Sequence, residues 1–264
     1  GRIADFAVLS DLRAFAVAQV WRAGRQVYVR GAEQEETPRD TSFPPHFYRS
    51  VHLAPCTAED FVLRAPIAEG RVLCRILEVQ EHTTFVREER AELAVHGGVI
   101  DWENSPYSLA CVFERHGKHG GFGMAPVGGA ALTHGAAATT YAHDSHNLLV
   151  LGQTAADMTA AANAVIEMQG GIAAARDGSV TACVPLPIAG ILSDRPLPVL
   201  AAEIADVRHA LTENGYRHDN AIMSFATLAL PVSPDVKLTD KGIVDVRRGE
   251  IVPLIAEVRP AEGM

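Results

Sequence analysis

The chain contains 264 residues, of which 48% are hydrophobic and 21% are charged. This composition is typical of a folded globular protein and excludes collagen-like, low-complexity and disordered classes. Lys and Arg total 23 against 32 Asp and Glu, so the formal net charge is −9. Because no global positive field exists to attract a phosphate backbone, we expect no nucleic-acid partner.

The cysteine and apolar patterns indicate the cellular compartment. The four cysteines lie far apart and include no CxxC pair, so neither a zinc knuckle nor a disulfide framework is indicated. No apolar stretch approaches the roughly 20 residues of a membrane span, so we expect a cytoplasmic protein without a membrane partner. The chain opens with Gly1-Arg2-Ile3 directly before a strand-like run. We therefore expect it to be a piece of a longer protein.

The first 55 residues predict a small β unit followed by a linker. The runs 3–9 and 15–21 are β-rich, and a turn at Arg22 to Arg25 leads into a third short run. From Gly31 to Pro55 the sequence is rich in charge, proline and aromatic rings, which indicates irregular structure.

The remaining sequence predicts a mixed α/β domain. Apolar runs predict strands at 71–79, 83–87, 109–115, 146–151, 243–246 and 251–258. Helices are predicted at 154–169 and 196–214 from capping residues and helical spacing. Asp177-Gly178 predicts a β-hairpin. The Gly-rich stretch 117–135 lacks the spacing of a phosphate-binding loop and is predicted as a loop.

Histidine is concentrated between His96 and His146, where six of the 11 lie. The densest patch is 142–147 (AHDSHN), in which five consecutive polar residues precede an apolar strand. Buried polar groups need hydrogen-bond partners, so one interpretation is a polar cluster that locks a loop. A second patch, 114–119 (ERHGKH), lies at the end of a predicted strand, where Glu114 and His116 would share a face and either contact a ligand or run into solvent.

Two catalytic interpretations of the patch 142–147 remain open. The patch contains side chains of the types that bind metal ions, namely His143, Asp144 and His146. Positions three apart on a strand point to opposite faces, so a shared ion requires that this segment is a loop or the start of a helix. Ser145 with a histidine base would need a third orienting group, and no GxSxG elbow is present. A third interpretation, an autonomous metal or ligand binder, rests on the histidine density alone.

Four motifs, taken in order, resemble the C-terminal region of microbial adenine deaminases. They are Glu114 to Lys118, Ala142 to Asn147, Pro185 to Gly190 with Ser193-Asp194, and Lys237 to Gly242. The opening run Ala4 to Leu9, followed by Val20 and Gly24, is similar to the β segment that follows the barrel in amidohydrolase-superfamily enzymes.

The resemblance implies hydrolysis of adenine to hypoxanthine and ammonia by a metal-bound hydroxide in a (β/α)8 barrel that precedes this region. It implies divalent manganese, iron or zinc in that barrel, the barrel and adenine as partners, and a homo-oligomer. The sequence has no His-x-His pair, so we assign no metal ligand, cofactor or catalytic residue here and expect this chain alone to be inactive. The residues expected to shape the site are Glu114, His116, Lys118, His119, His143, Asp144, Ser145, His146 and Asn147.

These observations predict the following organisation. Residues 1–50 form a remnant of the small amidohydrolase β domain with its linker, and residues 56–264 form an α/β domain with a mixed sheet and flanking helices. The alternative function is a non-catalytic interdomain or oligomerisation module. In the family a Thr-Gly step commonly stands where this sequence has His119-Gly120, and a basic residue other than histidine stands at His134. Another aminopurine is therefore the alternative substrate.

Overall fold

The computed structural model describes residues 1–32 and 42–261. The chain divides into two compact units, Gly1–Ser42 and Phe43–Met264. The division falls within the stretch from Gly31 to Pro55 that the sequence predicts as a linker.

The first unit is a three-stranded antiparallel meander of β1 (Phe6–Asp11), β2 (Ala16–Arg22) and β3 (Arg25–Val29). It matches the β-rich runs of the sequence. Large apolar side chains remain exposed on it, including Phe6 at 49% and Phe15 at 72%. A sheet of three strands needs a covered apolar face for independent stability, and the described residues of this unit supply none.

The second unit contains the remaining strands and all the α-helices of the described residues. Its strands are β4 (Gly70–Val79), β5 (Val86–His96), β6 (Val99–Ile100), β7 (Ser108–Phe113), β8 (Phe122–Gly129), β9 (Ala136–Thr139), β10 (Leu148–Gly152), β11 (Gly171–Arg176), β12 (Ser179–Pro185), β13 (Val236–Thr239), β14 (Gly242–Asp245), β15 (Glu250–Val252) and β16 (Ile255–Pro260). Its helices are α1 (Ala155–Glu167), α2 (Leu197–Glu213) and α3 (Ala221–Ala226). None of the helices in the described part of the chain combines the length and the apolar character needed to cross a membrane.

Ten of these strands form one mixed sheet, which confirms the predicted α/β class. The order is β12-β11-β9-β10-β7-β8-β4-β5-β6, and β16 pairs with β4. Two strands pair with the same edge of β4. The strand β16 pairs with the first half of β4, and β8 runs parallel to the end of β4 at Leu77–Val79. The other neighbouring strands pair antiparallel, and β13, β14 and β15 form a separate small sheet.

Both faces of the large sheet are buried, which explains the continuous apolar runs of its central strands. In β10, Leu148 and Val150 face the core that contains α1, while Leu149 and Leu151 face the core that contains α2 and α3. Side chains alternate across a strand, so each central strand contributes to two cores.

The structure corrects two loop predictions. The Gly-rich stretch 117–135 contains the strand β8, and one of its glycines has a packing role: a Cβ on Gly123 would collide with Thr239 O and lie 2.9 Å from Gly242 N. Glycine there lets the β13–β14 hairpin pack directly on β8. In the predicted linker, Pro45–Tyr48 forms a 3-10 helix and Val51 is buried, because proline is favourable at the start of a helical turn.

Strand boundaries also differ from the predictions. The strand predicted at 83–87 runs over Val86–His96 instead, and β7 ends at Phe113 rather than at residue 115. The short strand β9 was not predicted, because its sequence AAAT has weak strand preference. Its alanines are fully buried, and their small size suits a central strand packed on both faces.

Candidate functional site

The antiparallel pairing of β7 with β10 brings the two polar patches together. Phe113, the last residue of β7, lies opposite Leu148, the first residue of β10. The residues after Phe113 and those before Leu148 therefore leave the sheet at the same end. The sequence identified both patches, but their proximity depends on this register.

Glu114 is buried and organises the loop that connects β7 to β8. Its Oε1 accepts a hydrogen bond from His116 N at 2.7 Å, and its Oε2 accepts from Lys118 N at 2.8 Å, His119 N at 3.1 Å and Gly120 N at 3.3 Å. Because the strand ends at Phe113, Glu114 and His116 do not share a strand face as predicted. The carboxylate points instead into the centre of its own loop.

The electrostatics of Glu114 define its role. Burial raises the pKa of this carboxyl, but the four backbone N–H groups outweigh burial and lower the pKa to about 2. The group is therefore ionised at neutral pH, and both of its oxygens accept hydrogen bonds from the loop backbone. Glu114 holds the loop in place and has no free proton to exchange with a substrate.

Arg115 connects three segments that are distant in sequence. Its side chain is buried and donates to three backbone carbonyl groups: Nη1 to Ser50 O at 2.6 Å, Nη2 to Ala189 O at 3.0 Å, and Nε to His146 O. Burial lowers the pKa of Arg115 to about 10, and the Glu114 carboxylate partly opposes this. Sequence reasoning placed Arg115 in a motif but not among the site residues, because nothing in a local pattern marks an arginine as buried.

A second set of contacts joins Asn147, Asp240 and His119. Asn147 Nδ2 donates to Asp240 Oδ1 at 3.1 Å, and His119 Nε2 lies 3.4 Å from Asp240 Oδ2. Asp240 lies in the turn between β13 and β14, which the close approach at Gly123 brings to this end of the sheet. These contacts join the second motif, which contains Asn147, to the fourth, which contains Asp240. Asp240 was not among the predicted site residues.

His143 and His146 lie in a loop, so both rings can face the same side. Their ring centroids are 5.5 Å apart, and the Tyr141 ring lies 4.8 Å from His143 and 6.0 Å from His146. Burial, and then the nearby His143 and Arg115, lower the pKa of His146 below its usual value. His146 is thus neutral at neutral pH, and Tyr141 is a member of the ring cluster that the sequence did not mark.

The remaining predicted residues lie on the outer side of the two loops. His116 Nε2 donates to the backbone oxygen of Ser145 at 3.1 Å, which ties the loops together. Lys118 and Asp144 are exposed. These two side chains are therefore available to whatever covers this end of the sheet.

The two catalytic interpretations of the patch 142–147 gain no support from the geometry. Within residues 1–32 and 42–261, no group of three or more His, Cys, Asp or Glu side chains is arranged to hold a metal ion. Ser145 Oγ accepts a hydrogen bond from Asn147 N at 3.3 Å, and His116 contacts the Ser145 backbone rather than its hydroxyl. The interpretation as a hydrogen-bonded cluster describes the contacts best.

Lys237, in the fourth motif, is a buried cation. It is fully buried in β13, and its Nζ donates to Thr84 O at 2.7 Å. Burial lowers the pKa of Lys237 to about 8. The contact attaches β13 to the segment that precedes β5, and it gives this motif residue a structural role.

Comparison with known proteins identifies the family. Residues 83–250 match the family described as the adenine deaminase C-terminal domain. The chain belongs to this family. The resemblance inferred from the four motifs is therefore confirmed, and the match includes all the residues predicted to shape the site.

Several adenine deaminases are similar over nearly the whole chain. Adenine deaminase 2 of Shouchella clausii is 44% identical over 254 residues, which cover 96% of this chain and 44% of that protein. The adenine deaminase of Clostridium perfringens (strain 13 / Type A) is 40% identical over 257 residues, covering 96% of this chain and 45% of that protein. That of Moorella thermoacetica is 39% identical over 257 residues, covering 97% and 43%. The chain thus spans less than half the length of the curated relatives it matches.

Proposed function

We propose that this chain is the C-terminal part of an adenine deaminase of the amidohydrolase superfamily, which converts adenine and water into hypoxanthine and ammonia. The observation that carries the proposal is the 44% identity to an adenine deaminase over 96% of this chain. Deamination of this kind uses a metal-activated water, and divalent manganese, iron or zinc would supply it. The described residues offer no such metal group, so we place it in the part of the enzyme beyond this chain.

The loops 114–120 and 142–147 are proposed to shape the purine site of the whole enzyme. They lie at one end of the sheet, and the buried groups of Glu114, Arg115 and Asn147 fix their backbones. Rigid support of this kind is what a binding loop requires. The ring cluster of Tyr141 and His143 offers flat, partly exposed surface suited to a planar base.

The exposed apolar side chains of the first unit support a packing role. Ile3 is 75% exposed and Leu12 is 83% exposed, in addition to Phe6 and Phe15. Several large apolar side chains left exposed on one small sheet are consistent with a surface that a partner covers. We propose that this sheet packs against the catalytic barrel in the remainder of the enzyme and contributes to an oligomer, in the cytoplasm. That role is compatible with the alternative in which the whole chain is a non-catalytic module.

The test is ammonia release from adenine by the full-length enzyme, with His143→Ala as the variant. We expect kcat/KM to fall by at least about tenfold, with the melting temperature unchanged, because a ring contact to the base is lost. His209→Ala, an exposed histidine on α2, is the matched control and keeps full activity.

Unchanged kcat and KM in His143→Ala would contradict the site-shaping role and favour the packing module. This chain alone is expected to release no ammonia. Assaying it therefore tests separately whether the activity requires the rest of the enzyme. Parallel assays with guanine and 2,6-diaminopurine test whether adenine is the preferred aminopurine.

A further inference from the structure

The second unit contains a cleft of about 760 Å³ beside Arg115. It lies between the 3-10 helix Pro45–Tyr48 and the loop that follows β7. The side chains that determine its character are His46, Phe47, Arg49, His52, Arg115 and His116. The volume is within the range of about 300–1,000 Å³ that is usual for small-molecule sites.

Basic side chains line the cleft, although the protein is acidic overall. Two arginines and three histidines line it, and no Asp or Glu is among its lining residues in the described part of the chain. The formal net charge of the whole chain is −9. Two arginine charges with no carboxylate among the lining residues favour a negatively charged ligand against that background.

Arg115 provides an independent indication of an anion. Its guanidinium group donates to three carbonyl oxygens but forms no ion pair with any described carboxylate. The adjacent Glu114 carboxylate is occupied by the N–H groups of its own loop. The Glu114 carboxylate offsets part of the cost of burying the Arg115 charge, and an anion in the cleft would offset more of it.

The walls of the cleft are held in place by direct contacts. Ala189 N donates to Phe47 O at 2.7 Å, and His52 N donates to Arg115 O at 2.8 Å. The close approach of Gly190 is also required, because a Cβ there would lie 2.8 Å from Arg115 Nη1. These contacts fix the backbone on both sides of the cleft.

An aromatic pair forms one side of the cleft. The rings of His46 and Phe47 lie 4.7 Å apart. Pro45 and Ala189 add further apolar surface. A ligand that fits must therefore combine an anionic group with a flat, largely apolar ring.

We propose that this cleft binds a nucleoside monophosphate. The phosphate lies near the exposed Arg49 and His52 and is attracted by the buried charge of Arg115. The base lies against the rings of His46 and Phe47. The cleft shares Arg115 and His116 with the loop 114–120, but the proposed binding does not require that loop to contact the purine of the reaction.

The test is isothermal titration calorimetry of the full-length enzyme at low salt with AMP, ribose 5-phosphate, inorganic phosphate and adenine as separate probes. We expect AMP to bind with a Kd below about 1 mM and at least about tenfold more tightly than ribose 5-phosphate or inorganic phosphate. Arg49→Ala should weaken AMP binding about tenfold, since one charge-assisted contact is lost. Arg208→Ala, an exposed arginine on α2, is the control and should leave the Kd unchanged.

Three results would overturn the proposal: no AMP binding up to about 10 mM, an unchanged Kd in both Arg49→Ala and His52→Ala, or inorganic phosphate binding as tightly as AMP. Binding of adenine that is weakened by Arg49→Ala would also refute it, because the cleft would then belong to the purine site. Since binding is measured directly, an inactive enzyme preparation does not affect the outcome.

Discussion

Replacing Glu114 with glutamine tests the central structural claim about the loop 116–120. Glutamine preserves the size of the side chain but replaces one acceptor oxygen with an NH2 donor. Four backbone N–H groups point at the carboxylate. In Glu114→Gln at least one of them must face a donor and lose its hydrogen bond.

The magnitude follows from the pKa of the carboxyl. A pKa that falls from 4.5 in the unfolded chain to about 2 in the folded protein stabilises the folded state by up to about 3 kcal/mol at neutral pH. Solvent screening close to the loop surface reduces this to about 2 kcal/mol. Because the folded pKa is depressed, this stability is present above pH 4.5 and is lost as the pH falls towards 2.

The assay is urea unfolding at a series of pH values from 7 to 3. At pH 7 we expect Glu114→Gln to be less stable than the wild type by about 2 kcal/mol, and the difference should shrink as the pH falls below 4.5. Glu59→Gln is the control, because the ion pair of Glu59 with Arg64 is 3.9 Å long and exposed. This substitution should cost less than about 0.5 kcal/mol. A difference between the wild type and Glu114→Gln that stays constant from pH 7 to pH 3 would refute the reasoning.

Three further predictions concern the neighbouring contacts. Gly190→Ala should destabilise the protein by more than about 2 kcal/mol in thermal unfolding, because φ is +75° and the new Cβ meets the guanidinium of Arg115. Gly249→Ala is the control: φ is +67° but the new Cβ lies in open space, so the cost should be only about 1 kcal/mol. Asp240→Ala should cost about 1–2 kcal/mol through the lost Asn147 contact, and an unchanged melting temperature would show that this contact contributes nothing. For His146, NMR titration should give a pKa below 6.5. The contribution of the neutral His146 ring to the stability of the fold is then complete above pH 6.5 and falls as the pH decreases. A pKa above 6.5 would contradict the burial argument.

The sequence predicted most of the elements that depend on local signals. Thr154 begins α1 as expected, because its side chain accepts from Asp157 N at 3.2 Å. The hairpin around Asp177-Gly178 forms as expected for that dipeptide. The mixed sheet with flanking helices was predicted correctly because its central strands are apolar on both faces.

The sequence selected residues of the two loops as a candidate site, but it could not give their contacts. Glu114 and Asn147 were selected because polar residues at strand ends are unusual beside apolar runs. Asp240 holds Asn147, and Arg115 ties the loop 142–147 to two distant segments. Both roles depend on which distant segments pack together. The sequence did not predict the strand β8, because its glycine-rich composition alone favours a loop. Those glycines permit close packing of the β13–β14 hairpin, which depends on the tertiary structure.

The arrangement of anchors and free groups separates two roles within the same loops. Glu114, Arg115 and Asn147 are buried and use their polar atoms on the protein itself. Lys118 and Asp144 are exposed, and neither side chain is fixed by a hydrogen bond or ion pair within the described residues. A loop that served only to connect strands would need no such buried polar supports, because water could satisfy its backbone. The supports therefore hold an outward-facing surface in a defined shape, as the proposed contact with the rest of the enzyme requires.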